Sequence, residues 1–385
     1  MSLSDFLHYT FVENIWILLV LLITSITCGI IGSVLVLRKL SMVADAISHS
    51  VLLGIVLAFF ISKDLTSPLL VIGAAIFGIL TVFAIESLSK TNLVKNDDAV
   101  GIVFPLFFAL AVILITKFAR NAHLDVDIVL MGEVILSPLN TIGVLGYEIP
   151  KAFVYMSILF FVNLGFITLF FKEIKLTTFD EEYSTIIGFS SGLLFYGLMT
   201  LISFTTVVAF DGVGAILVIS FLVAPGSSAY LLTKNLKHMI FVSVIYSFVN
   251  STIGYLLGMY FNLSISGMTA TIAGITFFLT FLLNREGYIT QIFLRHKKKV
   301  EFKKDLFILH LGNHRGEKDE IYELGISTIK NHLLWSDEEI KKYSKPLIDS
   351  GDVVKLKEIY SLTEKGINKY MQLKREYGLG GHNEF

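Results

Sequence analysis

Asp45 and His49 stand four residues apart in the run Asp45-Ala46-Ile47-Ser48-His49, so on a helix they share one face. An apolar stretch at 42–61 carries them and begins just after Arg38-Lys39. At about 1.5 Å per residue, Asp45 sits roughly 10 Å along from those cations and His49 about one turn deeper. Ionisable groups at such depth in hydrocarbon are costly, and by default they line a pathway. A carboxylate beside an imidazole can hold Mn, Fe or Zn, with the carboxylate oxygen leaning toward the harder ions. The plainer reading is a pair that bonds only to itself or to a neighbouring helix. Spacing alone leaves both open.

Other polar residues carry less. Asp97 and Asp98 open an apolar stretch, where negative charge complements the helix dipole. Glu86 lies near the end of another and reaches back to the interface. His123, Asp125, Asp127 and Glu133 form an acidic outer patch that could guide a cation or dock a partner, though a solvated loop is the plainer account. Gly73, Gly78, Gly254 and Gly258 read as helix-packing positions. The single cysteine, Cys28, lies in an apolar run and belongs to no cysteine cluster. No G-x-x-x-x-G-K-[ST] phosphate loop is present, so the chain does not bind ATP in that way, and no H-E-x-x-H marks an intramembrane zinc protease.

The elements that must position these groups are membrane helices. The 385 residues are 54% apolar and only 16% charged, against about 25% charged for a soluble protein. Residues 1–295 hold 14 Lys/Arg and 17 Asp/Glu; the last 90 hold 17 and 15. A helix needs about 20 apolar residues to cross a bilayer. Nine stretches qualify, at 15–37, 42–61, 68–88, 99–117, 152–171, 184–208, 213–233, 239–261 and 266–284. The first is too long for a signal-peptide core and lacks a basic leader, so it is expected to be retained. Asp211-Gly212-Val213-Gly214 is expected to turn between the sixth and seventh spans, and Pro225-Gly226 to end or kink the seventh. Residues 124–148 are expected to form a short helix lying outside; if they cross instead, the spans number ten. With the N-terminus external, Arg38-Lys39, Lys90/Lys95, Lys172/Lys175, Lys234/Lys237 and the cluster at 295–299 all fall inside.

Beyond 300 the texture is that of a soluble domain. Helices are expected at 302–311 and 320–326. A third follows the capping box Ser336-Asp337-Glu338-Glu339. Strands at 353–356 and 358–362 precede a last helix opened by Thr363. That order is winged-helix-like. The expected fold is therefore an all-α polytopic membrane protein of about nine transmembrane helices (1–295) with a small C-terminal cytoplasmic α+β winged-helix-like domain (300–378). His310, His314 and His332 of this tail could sense metal; solvated surface histidines are the plainer account.

Asp45-Ala46-Ile47-Ser48-His49-Ser50-Val51-Leu52-Leu53-Gly54 resembles the D-A-[IL]-[SA]-H-[AS]-x-L-x-G signature of zinc/manganese/iron ABC permeases. Asp98-Ala99-Val100-Gly101-Ile102-Val103-Phe104 is similar to that family's fourth-span entry. Phe179-Asp180-Glu181-Glu182-Tyr183 with Gly188 resembles its cytoplasmic F-D-x-E-x-A-x-x-x-G segment. Val213-Gly214-Ala215-Ile216-Leu217-Val218 and Phe221-Leu222-Val223-Ala224-Pro225-Gly226 resemble its V-G-x-[LI]-L-V-x-[AS]-L-L-[VI]-x-P-[AG] run, and Gly254-Tyr255-Leu256-Leu257 its penultimate span. The likeness covers roughly 10–290 in order. Ser184 and Ser50 stand where the family more often has Ala, and neither change removes a ligand.

The resemblance implies a multi-pass subunit in the plasma membrane of a bacterium that imports manganese or zinc, with iron also in the family's range. It implies no catalysis and no permanently bound cofactor; Mn2+, Zn2+ or Fe2+ passes through as cargo. The implied partners are two ABC ATPase subunits inside, an extracytoplasmic metal-binding protein outside, and a second permease copy or close homologue. Asp45 and His49 become the metal ligands. Pro225, Gly226, Ser227, Ser228 and Ala229 become the segment that couples to the ATPase through a short small-residue helix. The tail is an extension many members lack, with Leu362-Thr363-Glu364-Lys365-Gly366 its closest piece to metal-dependent repressors.

Two other classes compete. An ion-coupled secondary metal transporter needs buried carboxylates on several spans, and these spans are nearly charge-free. A membrane-tethered metal-responsive regulator needs a strongly basic tail to neutralise phosphates. Residues 296–385 carry 17 basic against 15 acidic groups, so no nucleic-acid partner is expected.

Overall fold

The computed structural model describes residues 10, 14–64, 67–91, 93–118, 134–144, 146–284 and 287–379. It divides into two compact units, Met1–Asn284 and Arg285–Phe385.

Among the described residues of the first unit, nine helices are long and apolar enough to cross a membrane. They are α1 (Ile15–Leu37), α2 (Ser41–Ser62), α3 (Leu69–Ser89), α4 (Asn96–Phe118), α5 (Lys151–Leu169), α8 (Ser191–Val213), α9 (Ala215–Leu232), α10 (Leu236–Phe261) and α11 (Ile265–Leu283). At about 1.5 Å per residue the shortest, 18 residues, spans roughly 27 Å, close to the hydrocarbon thickness. Two short helices, α6 (Phe171–Phe179) and α7 (Glu181–Ile186), separate α5 from α8. A six-residue 3-10 helix, Val134–Leu139, leads into a hairpin of β1 (Thr141–Val144) and β2 (Tyr147–Pro150), paired antiparallel with Ile142 opposite Ile149. The described part of 124–148 therefore contains a single 3-10 segment and a hairpin and no crossing helix. His123, Asp125, Asp127 and Glu133 lie outside the described residues.

Two expected boundaries move. The sixth span begins at Ser191, not 184, because Asp180 caps α7 by accepting from the Tyr183 amide, and Ser190 then caps α8. Asp211, Gly212 and Val213 are helical, and the reversal rests on Gly214 alone at φ 86°, ψ 155°. That conformation is essentially closed to residues with a side chain.

Packing inside this unit relies on bare backbone. A Cβ on Gly32 of α1 would lie 2.1 Å from the Leu222 carbonyl oxygen of α9, and one on Gly54 of α2 would lie 2.2 Å from that of Gly73 on α3. Gly78, Gly254 and Gly258 also face neighbouring helices closely, as their sequence positions lead one to expect. Hydroxyls stitch the same seams: Ser25 Oγ donates to the Ser247 carbonyl (3.0 Å), Ser243 Oγ to the Gly29 carbonyl (2.9 Å), and Thr81 Oγ1 to Ser50 Oγ (2.6 Å).

The second unit contains α12 (Tyr288–Asn313), α13 (Glu320–Glu323), α14 (Ile329–Leu333), α15 (Asp337–Asp349), β3 (Val353–Leu356), β4 (Ile359–Leu362) and α16 (Glu364–Glu376). Helix α12 runs unbroken through 295–300, where the sequence places a junction. The antiparallel β3–β4 ribbon pairs Val353 with Leu362. Ser336 and Glu339 form the expected capping box, and Thr363 caps α16. The core is aromatic: Phe307 stacks on Trp335 at 6.2 Å and meets Tyr360 edge-on at 5.4 Å, with Ile340, Tyr343 and Leu347 around them.

Candidate functional site

Helix α2 buries Val43, Ala44, Ala46, Ile47, Ser48 and Ser50 against α3, α4 and α8, which fixes its rotation. That rotation leaves Asp45 and His49 together on a partly open face of the helix, with side chains 37% and 32% exposed. His49 Nε2 stands 3.6 Å from Asp45 Oδ1, too long for a good hydrogen bond, so the two are near but not locked together. Phe104 and Phe108 of α4 hold the imidazole from the side, with ring centroids 5.6 and 5.9 Å away. Among the described residues, no third His, Cys, Asp or Glu joins this pair to make a ligand cluster. One chain thus offers an oxygen and a nitrogen donor toward an open side and leaves the rest of any coordination shell to water or to another chain.

The other polar groups near helix ends serve structure. Glu86 accepts a hydrogen bond from the Tyr196 hydroxyl and pairs with Lys90 at 2.6 Å. Arg38 reaches Thr177 and Thr178 of α6, at 2.6 and 3.0 Å. Asp97 and Asp98 occupy the first turn of α4, where sequence reasoning puts them.

The seventh span does not end at Pro225-Gly226. Helix α9 continues to Leu232, and Pro225, Gly226, Ser228 and Ala229 are buried in it. Gly226 faces α1, where an added Cβ would lie 3.2 Å from the Gly32 carbonyl oxygen. The run of small residues lets two helices approach, which explains why a proline is tolerated inside a supported span. Of this segment, Ser227 and Tyr230 alone keep appreciable exposure. The pair of short helices α6 and α7 behaves otherwise: Phe179, Tyr183 and Ile186 are 60%, 51% and 81% exposed. In the sequence these are the apolar positions threaded through Phe179-Asp180-Glu181-Glu182-Tyr183 and on to Ile186.

In the second unit the histidines are not scattered on a solvated surface. His310, His314 and Glu323 are partly buried, and one ligand atom from each lies within 4.8 Å of the others. Burial pulls the His310 imidazole below its ordinary pKa, against the hydrogen bond to the Glu323 main chain, which favours the protonated ring.

Comparison with known proteins assigns the fold and the sequence signatures together. Residues 8–284 match the ABC 3 transport family. The chain is 37% identical over 353 residues to the zinc transport system membrane protein TroD of Treponema pallidum, covering 91% of this chain and 96% of that one. A match of that length runs well past residue 284 into the second unit. Against the manganese transport system membrane protein MntD of Bacillus subtilis the identity is 39% over 278 residues, covering 72% and 94%. Among solved structures, PsaBC from Streptococcus pneumoniae in complex with Fab aligns with a TM-score of 0.62 at 27% identity, over 77% of this chain and 100% of that one. With the family match spanning the whole membrane unit, this chain belongs to the ABC 3 transport family.

Proposed function

We propose that the chain is the membrane permease of an ABC importer that passes a divalent transition-metal ion, manganese or zinc, into the cytoplasm. The observation that carries this reading is the Asp45–His49 pair. It lies on a membrane helix, on a partly open face, and it is short of ligands. A permease needs such a site, because a full, closed set of donors would trap the ion. The names of the relatives support zinc or manganese as cargo. Asp45 also supplies negative charge that offsets the cost of bringing a dication into a low-dielectric region.

The missing ligands come from water and from a second permease copy or close homologue, whose own Asp45–His49 face meets this one across the pathway. ATP is hydrolysed by separate ATPase chains, since this one has no phosphate loop. An extracytoplasmic metal-binding protein delivers the ion. The contact with the ATPase is made by the exposed apolar residues of α6 and α7, Phe179, Tyr183 and Ile186, together with Tyr230 near the end of α9. The second unit is the cytoplasmic winged-helix-like domain: its helices, antiparallel ribbon and final helix follow that order.

The test is metal uptake by the assembled complex. Asp45→Asn keeps shape and removes charge; His49→Ala removes the imidazole. Each is expected to abolish uptake while the complex still assembles and the external partner still binds metal. Near-normal import by both variants overturns the reading.

A further inference from the structure

We infer that His310, His314 and Glu323 form a second metal-binding site, in the C-terminal unit, for a late first-row divalent ion such as Zn2+, with His332 as the residue that positions Glu323.

His310 lies in the last turn of α12 and His314 caps its C-terminus four residues on, a spacing that brings two imidazoles near one another. Their ring centroids are 4.8 Å apart. Glu323, at the end of α13, brings its Oε2 to 4.0 Å from His310 Nε2. His332, on α14, places Nδ1 2.9 Å from that same oxygen. Three consecutive helices therefore converge on one carboxylate. Among the described residues, the ion-pair partners of Glu323 are these imidazoles.

The donor set is two nitrogens and one oxygen, which suits Zn2+ and its neighbours and leaves a fourth position open. Ligand atoms about 2.1 Å from a tetrahedral ion sit roughly 3.4 Å from one another. The observed 4.8 Å spread closes to that with small side-chain rotations, and His314, at 32% exposed, has the room to make them. His310 Nε2 lies 3.2 Å from the Glu323 carbonyl oxygen. With Nε2 donating there, His310 keeps its lone pair on Nδ1, which is then the nitrogen available to an ion. His332 stands behind the carboxylate, packed edge-on against Tyr322 at 4.9 Å, and its buried Nε2 has no hydrogen-bond partner. His314 Nδ1 pairs with Glu317 Oε2 at 3.0 Å, so three imidazoles and two carboxylates gather here, more than the one ion pair between His332 and Glu323 requires. None of this depends on what the membrane unit carries.

The experiment uses the full chain in detergent. Asp45→Asn and His49→Ala are present in every sample, so that the membrane pair contributes no binding. Titration with Zn2+ alone is expected to find one saturable equivalent per chain. His310→Ala with His314→Ala, or Glu323→Gln, is expected to weaken it about 100-fold or more, and His332→Phe by about 10- to 100-fold, the range for a residue that orients a ligand. Zn2+ is also expected to slow amide exchange across 308–333 in the chain with the tail unaltered, a readout that needs no tail variant to fold. Unchanged affinity in a folded Glu323→Gln chain, or exchange across 308–333 that does not respond to Zn2+, overturns the site.

Discussion

The two units of this chain solve the problem of close packing with opposite residues. In the membrane unit α1 meets α9 through Gly32 and Gly226, and α2 meets α3 through Gly54 and Gly73, with serine and threonine hydroxyls bridging the seams. In the C-terminal unit Phe307, Trp335, Tyr343 and Tyr360 fill the centre. The difference follows from the surroundings. In water, burying a large apolar ring is itself a driving force. Among lipid tails it gains little, so helices adhere where backbones come close enough for dispersion contacts and interhelical hydrogen bonds. The two candidate metal sites differ in the same sense. Asp45 and His49 sit on a partly open face, whereas His310 and His314 at the end of α12 and Glu323 of α13 lie close together within a folded unit.

The contrast can be broken most sharply at Gly32. Gly32→Leu sets a side chain against the Leu222 carbonyl, which cannot rotate away. Overpacking costs typically 1–3 kcal/mol and more when backbone must move. The expected result is loss of monodisperse protein on size-exclusion chromatography, while Gly101→Ala, which meets nothing within 4 Å, behaves as the parent. In the other unit, Phe307→Ala removes a fully buried ring and is expected to cost about 3–5 kcal/mol. Proteolysis should then cut within 300–378 while the membrane unit stays intact; resistance to cleavage would mean the aromatic core is not what holds that unit. The finest probe is Ser336→Ala. Losing this cap is expected to cost about 1 kcal/mol, read as faster amide exchange over the first turn of α15 alone.

Much of this architecture was legible because the apolar runs leave few choices. The first span ends at the residues its hydropathy suggests, and the capping box at Ser336 announces α15 directly. Helix ends governed by local hydrogen bonds were harder. Asp180 and Ser190 capture amides that an apolar run alone assigns to one long span, and Pro225 is carried by a neighbour the sequence does not name. Of the candidate sites, Asp45 and His49 could be read because their four-residue spacing lies within one helix. His310 and His314 share that spacing, yet Glu323 and His332 come from separate helices, and only tertiary packing brings all four together.

Gly214 has a consequence in evolutionary terms. It alone reverses the chain between α8 and α9, in a region of backbone space that a Cβ forbids. Every amino acid reachable from a glycine codon by one nucleotide change carries a Cβ. Any single-nucleotide change that replaces this glycine therefore puts a Cβ into that conformation, whereas the exposed Asp211 nearby meets no such bar.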